Sequence, residues 1–106
     1  MAISPEEISR TLSEAARSSA AWHAAGATVR FVISEPDAEF TLDPQGAVTT
    51  AEPTHVLGIT HADLLDLTAG RRTFLRTVTA RRVTARGPVM QTFAVGQALT
   101  TFSLAG

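Results

Sequence analysis

The stretch Thr54-His55-Val56-Leu57-Gly58-Ile59-Thr60-His61-Ala62-Asp63-Leu64-Leu65-Asp66-Leu67-Thr68-Ala69-Gly70 decides the fold class, because its apolar period changes within it. From His55 to Thr60 the pattern alternates, with Leu57 and Ile59 on one face, and this predicts a strand. From Thr60 the period becomes helical. Thr60 can cap, Asp63 and Asp66 lie early where the helix dipole favours acids, and Leu64, Leu65 and Leu67 supply an apolar side. Gly70 ends the helix, and Arg71 and Arg72 suit its negative end.

Downstream, Phe74, Leu75 and Val78 mark a second short helix, and Arg82 to Arg86 a last strand with Val83 and Ala85 inward. Gly87-Pro88 punctuates the chain. Val89, Met90, Phe93, Ala94, Ala98 and Phe102 then run down a final helix, which Gly96 weakens by about 1 kcal/mol relative to alanine.

Upstream, Asp43-Pro44-Gln45-Gly46 and Glu35-Pro36-Asp37 are turn chemistry. They separate three runs, Val29 to Ser34, Glu39 to Asp43 and Ala47 to Thr50, which read as an antiparallel meander. Val29, Phe31 and Ile33 share one face of the first run; Phe40 and Leu42 share one face of the second. Ser4-Pro5-Glu6-Glu7 is a capping box with proline at the first helical position. It predicts one helix carrying Ile8, Leu12, Ala15, Ser19 and Trp22 to a stop at Gly26, half buried because the remainder is polar and rich in alanine.

The order is α-β-β-β-β-α-α-β-α. This is an α+β fold: a mixed, mostly antiparallel five-stranded sheet with helices covering one face. With 106 residues, 44% hydrophobic and 18% charged, the expectation is a single domain over residues 1–106 with one core.

The absence of cysteine removes disulfides and thiolate chemistry and leaves the redox compartment open. No apolar run approaches the ~20 residues of a membrane span. Met1-Ala2-Ile3-Ser4-Pro5-Glu6-Glu7 lacks the features of a signal peptide, and Ser103-Leu104-Ala105-Gly106 is no peroxisomal address. A cytoplasmic protein is the default expectation. Net charge is −1, but all ten acids lie in residues 1–66, and six of the nine arginines (Arg71, Arg72, Arg76, Arg81, Arg82, Arg86) follow them. Either the basic half folds against the acidic half, or it forms a patch for an anionic headgroup, a phosphate or a membrane surface. Nucleic acid fits poorly: the pI is about 6.3 and there is no tyrosine for base stacking.

The string from Thr54 to Thr60, Asp63-Leu64-Leu65-Asp66-Leu67, Ala69-Gly70, Phe74-Leu75, Val83-Thr84-Ala85-Arg86-Gly87 and the apolar helix after it resembles the sterol-carrier-protein-2-like family. Val29 to Gly46 is similar to that family's first hairpin, with Phe40 at an aromatic position and Gly46 at a turn glycine. Two positions depart: Arg81 stands where the family usually has glycine, and the last strand has Val83 and Ala85 where it is normally rich in leucine and valine. The resemblance implies a cavity between sheet and helices that receives lipids, fatty acyl chains or sterols. Family members also occur as accessory domains of larger enzymes.

The candidate wall is Leu64, Leu67, Phe74, Val78, Met90, Phe93 and Phe102 from the helices, facing Phe31, Ile33 and Leu57 of the sheet; the same side chains could instead close up as an ordinary core. Arg76, Arg82 and Arg86 are candidates for an anionic headgroup. His23, His55 and His61 lack metal-ligand spacing, and no metal or other cofactor is expected. His61 with Asp63 is a spacing an acid–base pair could use, but Ser34, Ser103 and the threonines have no identifiable base, and no nucleophile or phosphate-binding motif is present. Three functions follow. The first is a non-catalytic carrier of an apolar ligand, with transient contact to a membrane surface. The second is an enzyme or enzyme accessory domain acting on an apolar intermediate, with His61 or Arg76 as a polar handle. The third is an interaction module whose apolar face forms a homodimer.

Overall fold

The computed structural model describes residues 4–102; the readings at 1–3 and 103–106 lie outside the described residues. Helix α1 (Pro5–Arg17) starts as its capping box dictates: the Ser4 side chain accepts from the Glu7 N–H at 3.2 Å, and Ile8, Leu12 and Ala16 are buried. The single helix expected up to Gly26 is instead two. Ser19 takes an extended conformation and caps α2 (Ala20–Ala25), accepting from the Trp22 N–H at 3.1 Å. Gly26, at φ 63, ends α2 in the left-handed conformation. The break re-aims Trp22 into the core, where its indole N–H donates to the Asp43 carbonyl at 2.9 Å.

Four strands form the sheet, in the order β2-β1-β3-β4: β1 (Val29–Ser34), β2 (Ala38–Leu42), β3 (His55–Thr60) and β4 (Val83–Arg86). β1 pairs antiparallel with β2 and parallel with β3, and β3 pairs antiparallel with β4. The five-stranded expectation therefore loses one strand, and the meander becomes a crossover. Residues 47–50 make a single bridge, Leu42 to Val48, before leaving the edge. The one large apolar side chain of this run, Val48, stays exposed. The preceding turn is pulled onto α1 instead, where the Ser13 hydroxyl donates to the Gly46 carbonyl at 2.6 Å. Gly46, at φ 87, lies against the backbone of Ala16 and Arg17 where a Cβ would not fit. The chain then crosses to the free side of β1, which becomes a central strand.

The register stacks three inner rows: Val29 between Leu42 and His55, Phe31 between Phe40 and Leu57, and Ile33 between Ala38 and Ile59. The helices cover this face. The other face carries the Arg30–Glu39 ion pair and the exposed Val32. Val83 is buried opposite Ile59, but Ala85, opposite Leu57 on the inner face, is exposed on the edge strand of the sheet.

Helix α3 (His61–Thr68) follows β3 without a linker. The Thr60 hydroxyl accepts from the Asp63 N–H at 3.1 Å. Helix α4 (Phe74–Thr79) is capped in the same way by Thr73. Helix α5 (Val89–Leu99) buries Val95, Ala98 and Leu99, so its inward side is rotated from the one expected. The helix also ends before Phe102, which lies after a turn and packs on Trp22 with centroids 5.8 Å apart.

Gly96 explains how closely α5 meets α4: the Phe74 ring lies where a Cβ would stand. Helix propensity alone predicts that Gly96→Ala stabilises by about 1 kcal/mol. Displacing an aromatic ring from a packed site costs about 1–3 kcal/mol. A net loss of stability of up to about 2 kcal/mol is therefore expected from Gly96→Ala, read as a lower urea midpoint. A raised midpoint would show that this contact is loose.

Candidate functional site

Helix α5 lies between α2 and α4. On the α2 side, the Gln91 side-chain amide donates to the carbonyls of Ala25 and Gly26, at 2.9 and 3.2 Å, and the hydroxyls of Ser19 and Thr101 meet at 3.3 Å. On the α4 side, Phe74 packs edge-on against Phe93, with ring centroids 6.0 Å apart at 87°. The outward side of α5 is thereby the floor of a groove.

Phe93, Ala94 and Gln97 form that floor, Ala21, Ala24 and Ala25 of α2 one wall, and Phe74 and Leu75 of α4 the other; the α3–α4 link contributes Gly70, Arg72 and Thr73. The groove holds about 820 Å³ and is open to solvent. Its lining is mostly apolar carbon with a few polar groups, the composition of a site for an apolar ligand. Beside it, Arg71, Arg72 and Arg76 line a polar depression with Thr79 and Ala80, and Arg72 borders both.

The candidate wall residues separate into two groups. Phe31, Ile33, Leu57, Leu64, Leu67, Phe74 and Phe102 are buried in one core cluster, with Val78 packed against its edge. Phe93 is 40% exposed and Met90 84% exposed. Phe74 and Phe93 are the two candidates that reach the groove. The candidate arginines also separate. Arg82 pairs with Asp63 at 3.3 Å, Arg86 ends β4, and Arg76 lies in the polar depression. His61 and Asp63 do not pair: the Asp63 carboxylate accepts from Thr60 and Arg82 instead. His55 is buried, its Nδ1 2.8 Å from the Thr54 hydroxyl and its ring against the Cα of Gly87, and it does not line the groove.

No protein-family model matches the chain, and no curated protein matches its sequence. Solved structures do match. The sterol carrier protein domain 2 of Helicoverpa armigera superposes with a TM-score of 0.67 at 17% identity, covering 92% of this chain and 89% of that one. Sterol Carrier Protein 2 from Yarrowia lipolytica, in its apo form, gives 0.66 at 15% identity over 89% and 88%. This chain has the sterol-carrier-protein-2 fold. The inverting sec-alkylsulfatase Pisa1 from Pseudomonas sp. matches at 0.69 and 14% identity over 96% of this chain but 17% of its own, so the same fold also forms part of a longer polypeptide.

The departure at Arg81 is informative within the sterol-carrier-protein-2 fold. Arg81 has φ 59, the left-handed region that glycine favours, and its N–H donates to the Val78 carbonyl at 3.0 Å to close α4. An arginine here thus adopts a backbone conformation that glycine takes more readily.

Sequence reasoning missed Leu75, Ala94, Gln97 and the alanine wall of α2. The usable signals were the Phe74-Leu75 pair, of which a short helix buries only one, and the alanines spaced three and four apart in a helix already read as half buried.

Arg82 is half exposed, pairs with Asp63 and does not line the groove. Arg82→Gln is expected to cost up to about 1 kcal/mol of stability while changing apolar-ligand affinity by less than about twofold. Chemical denaturation and a ligand titration check the two halves. A large loss of affinity without unfolding would return Arg82 to the site.

Proposed function

We propose that this protein binds and carries an apolar molecule, such as a lipid, an acyl chain or a sterol-like compound, without transforming it. The observation that supports this most is the groove of about 820 Å³ between α2, α4 and α5. Water in such a groove faces methyl groups and ring edges, and displacing it gains about 25 cal/mol per Å² of apolar surface covered. The sterol carrier proteins with the same fold bear names consistent with this reading.

The site proposed differs in place from the space between sheet and helices, where Phe31, Leu57, Leu64 and Leu67 pack together. A ligand in the groove instead lies across α5, against Phe93 and Ala94, with Phe74 and Leu75 beside it and the small side chains of α2 opposite. Alanines leave width there that larger side chains would fill. A chain binding in this way needs no nucleophile, and the His61–Asp63 arrangement supplies none. The reading takes the chain as one domain working in the cytoplasm.

Phe93→Asp places a carboxylate on the groove floor at a position that is already 40% exposed, so the fold is expected to survive. Affinity for a fluorescent fatty-acid probe should fall by at least about tenfold. Val48→Asp, an exposed position outside the groove, should leave it unchanged. Wild-type affinity in Phe93→Asp with an unaltered circular dichroism spectrum would remove the groove from consideration.

A further inference from the structure

We propose that the α4–α5 face of this protein docks on an anionic lipid bilayer. Val89 is 68% exposed, Met90 84%, Leu75 57% and Phe93 40%. Met90 and Val89 lie three and four residues before Phe93 on α5 and so share its side of the helix. Leu75 faces the same groove as Phe93 from α4. Val89 and Met90 do not line the groove, so a ligand there leaves them in water.

The charge on this face is net positive. Leu75 stands between Arg72 and Arg76 in sequence, and both arginines line the depression beside the groove. Arg71 is held by Asp66 at 2.9 Å, but Arg72 and Arg76 have no acidic partner among the described residues. No Asp or Glu occurs after Asp66, and α2, across the groove, has none either. Exposed long apolar side chains beside unpaired guanidiniums, with the Asp66 carboxylate already taken up by Arg71, match a surface that is anionic at its headgroups and apolar beneath. A second copy of this chain matches less well. A two-fold interface would lay the arginine-bearing face on itself, where Asp66 is already paired with Arg71.

Val89, Met90 and Arg76 lie outside the groove lining, so docking is tested with the groove empty. The full chain is sedimented with vesicles of equal parts phosphatidylcholine and phosphatidylserine, and with vesicles of phosphatidylcholine alone. Expected are binding to the mixed vesicles that weakens as salt is added, and much weaker binding to the neutral ones. Arg72→Gln with Arg76→Gln should lower partitioning onto the mixed vesicles by about 30-fold. Met90→Asp, at an exposed position, should lower it while leaving the circular dichroism spectrum unchanged. Failure to sediment, equal binding to both vesicle types, or binding indifferent to both variants would overturn the proposal. So would a lipid-free dimer abolished by Met90→Asp, which would make the face a self-interface. Fatty-acid binding measured without vesicles reports on the groove separately.

Discussion

Phe31 is the residue around which the molecule is assembled. It sits at the middle of β1, between Phe40 on one side and Leu57 on the other, and the helix layer closes on it through Trp22. The ring stacks with Phe40 at 5.3 Å and with Trp22 at 6.1 Å, and Trp22 in turn meets Phe102. One aromatic column thus joins an edge strand, a central strand, α2 and the segment after α5. Each such pair contributes about 0.5–1.5 kcal/mol beyond its burial. Trp22 also donates to Asp43, which ties the column to the turn that begins the crossover. The parallel pairing of β1 with β3 depends on this crossover, and it brings the strand into α3 at Thr60.

The architecture was legible in the sequence because its signals were local. The Ser4 capping box, the alternation at Val29–Ile33 and His55–Thr60, and the Thr60 cap each report on a few neighbouring residues, and each element began where it was read. What escaped was decided by partners far away in the chain. Ser19 lies at apolar helical spacing, yet its hydroxyl caps a new helix. Val48 alternates properly, but Ser13 holds the preceding turn away from the sheet. Whether β3 lies antiparallel beside β2 or parallel beside β1 depends on which strand edge the crossover reaches, and alternation is the same for both.

Helix α5 is the clearest case, and the candidate site depends on it. Val89, Met90, Phe93, Ala94, Val95, Ala98 and Leu99 leave no polar side to the helix, so periodicity cannot choose an inward face. The choice is made by Gly96, the position with no side chain, which lets the Phe74 ring lie against the helix backbone. With that contact in place, Val95, Ala98 and Leu99 turn inward and Phe93, Ala94 and Gln97 turn out. The apolar floor of the groove and the exposed Met90 are two consequences of one rotation. The arginines follow a similar logic: Arg71 and Arg82 are neutralised by α3, and Arg72 and Arg76 remain to give the face its sign.

The proposed ligand site is on the outward side of α5, and side chains of the core pack between helices and sheet. Binding of a spin-labelled acyl chain, followed by paramagnetic broadening of backbone amide signals, tests this placement directly. Loss of the signals of Ala21, Leu75, Phe93 and Ala94, with those of Leu57, Ile59 and Leu64 retained, is the predicted result. Broadening centred on Leu57, Ile59 and Leu64 would contradict it, because the ligand would then lie between the sheet and the helices.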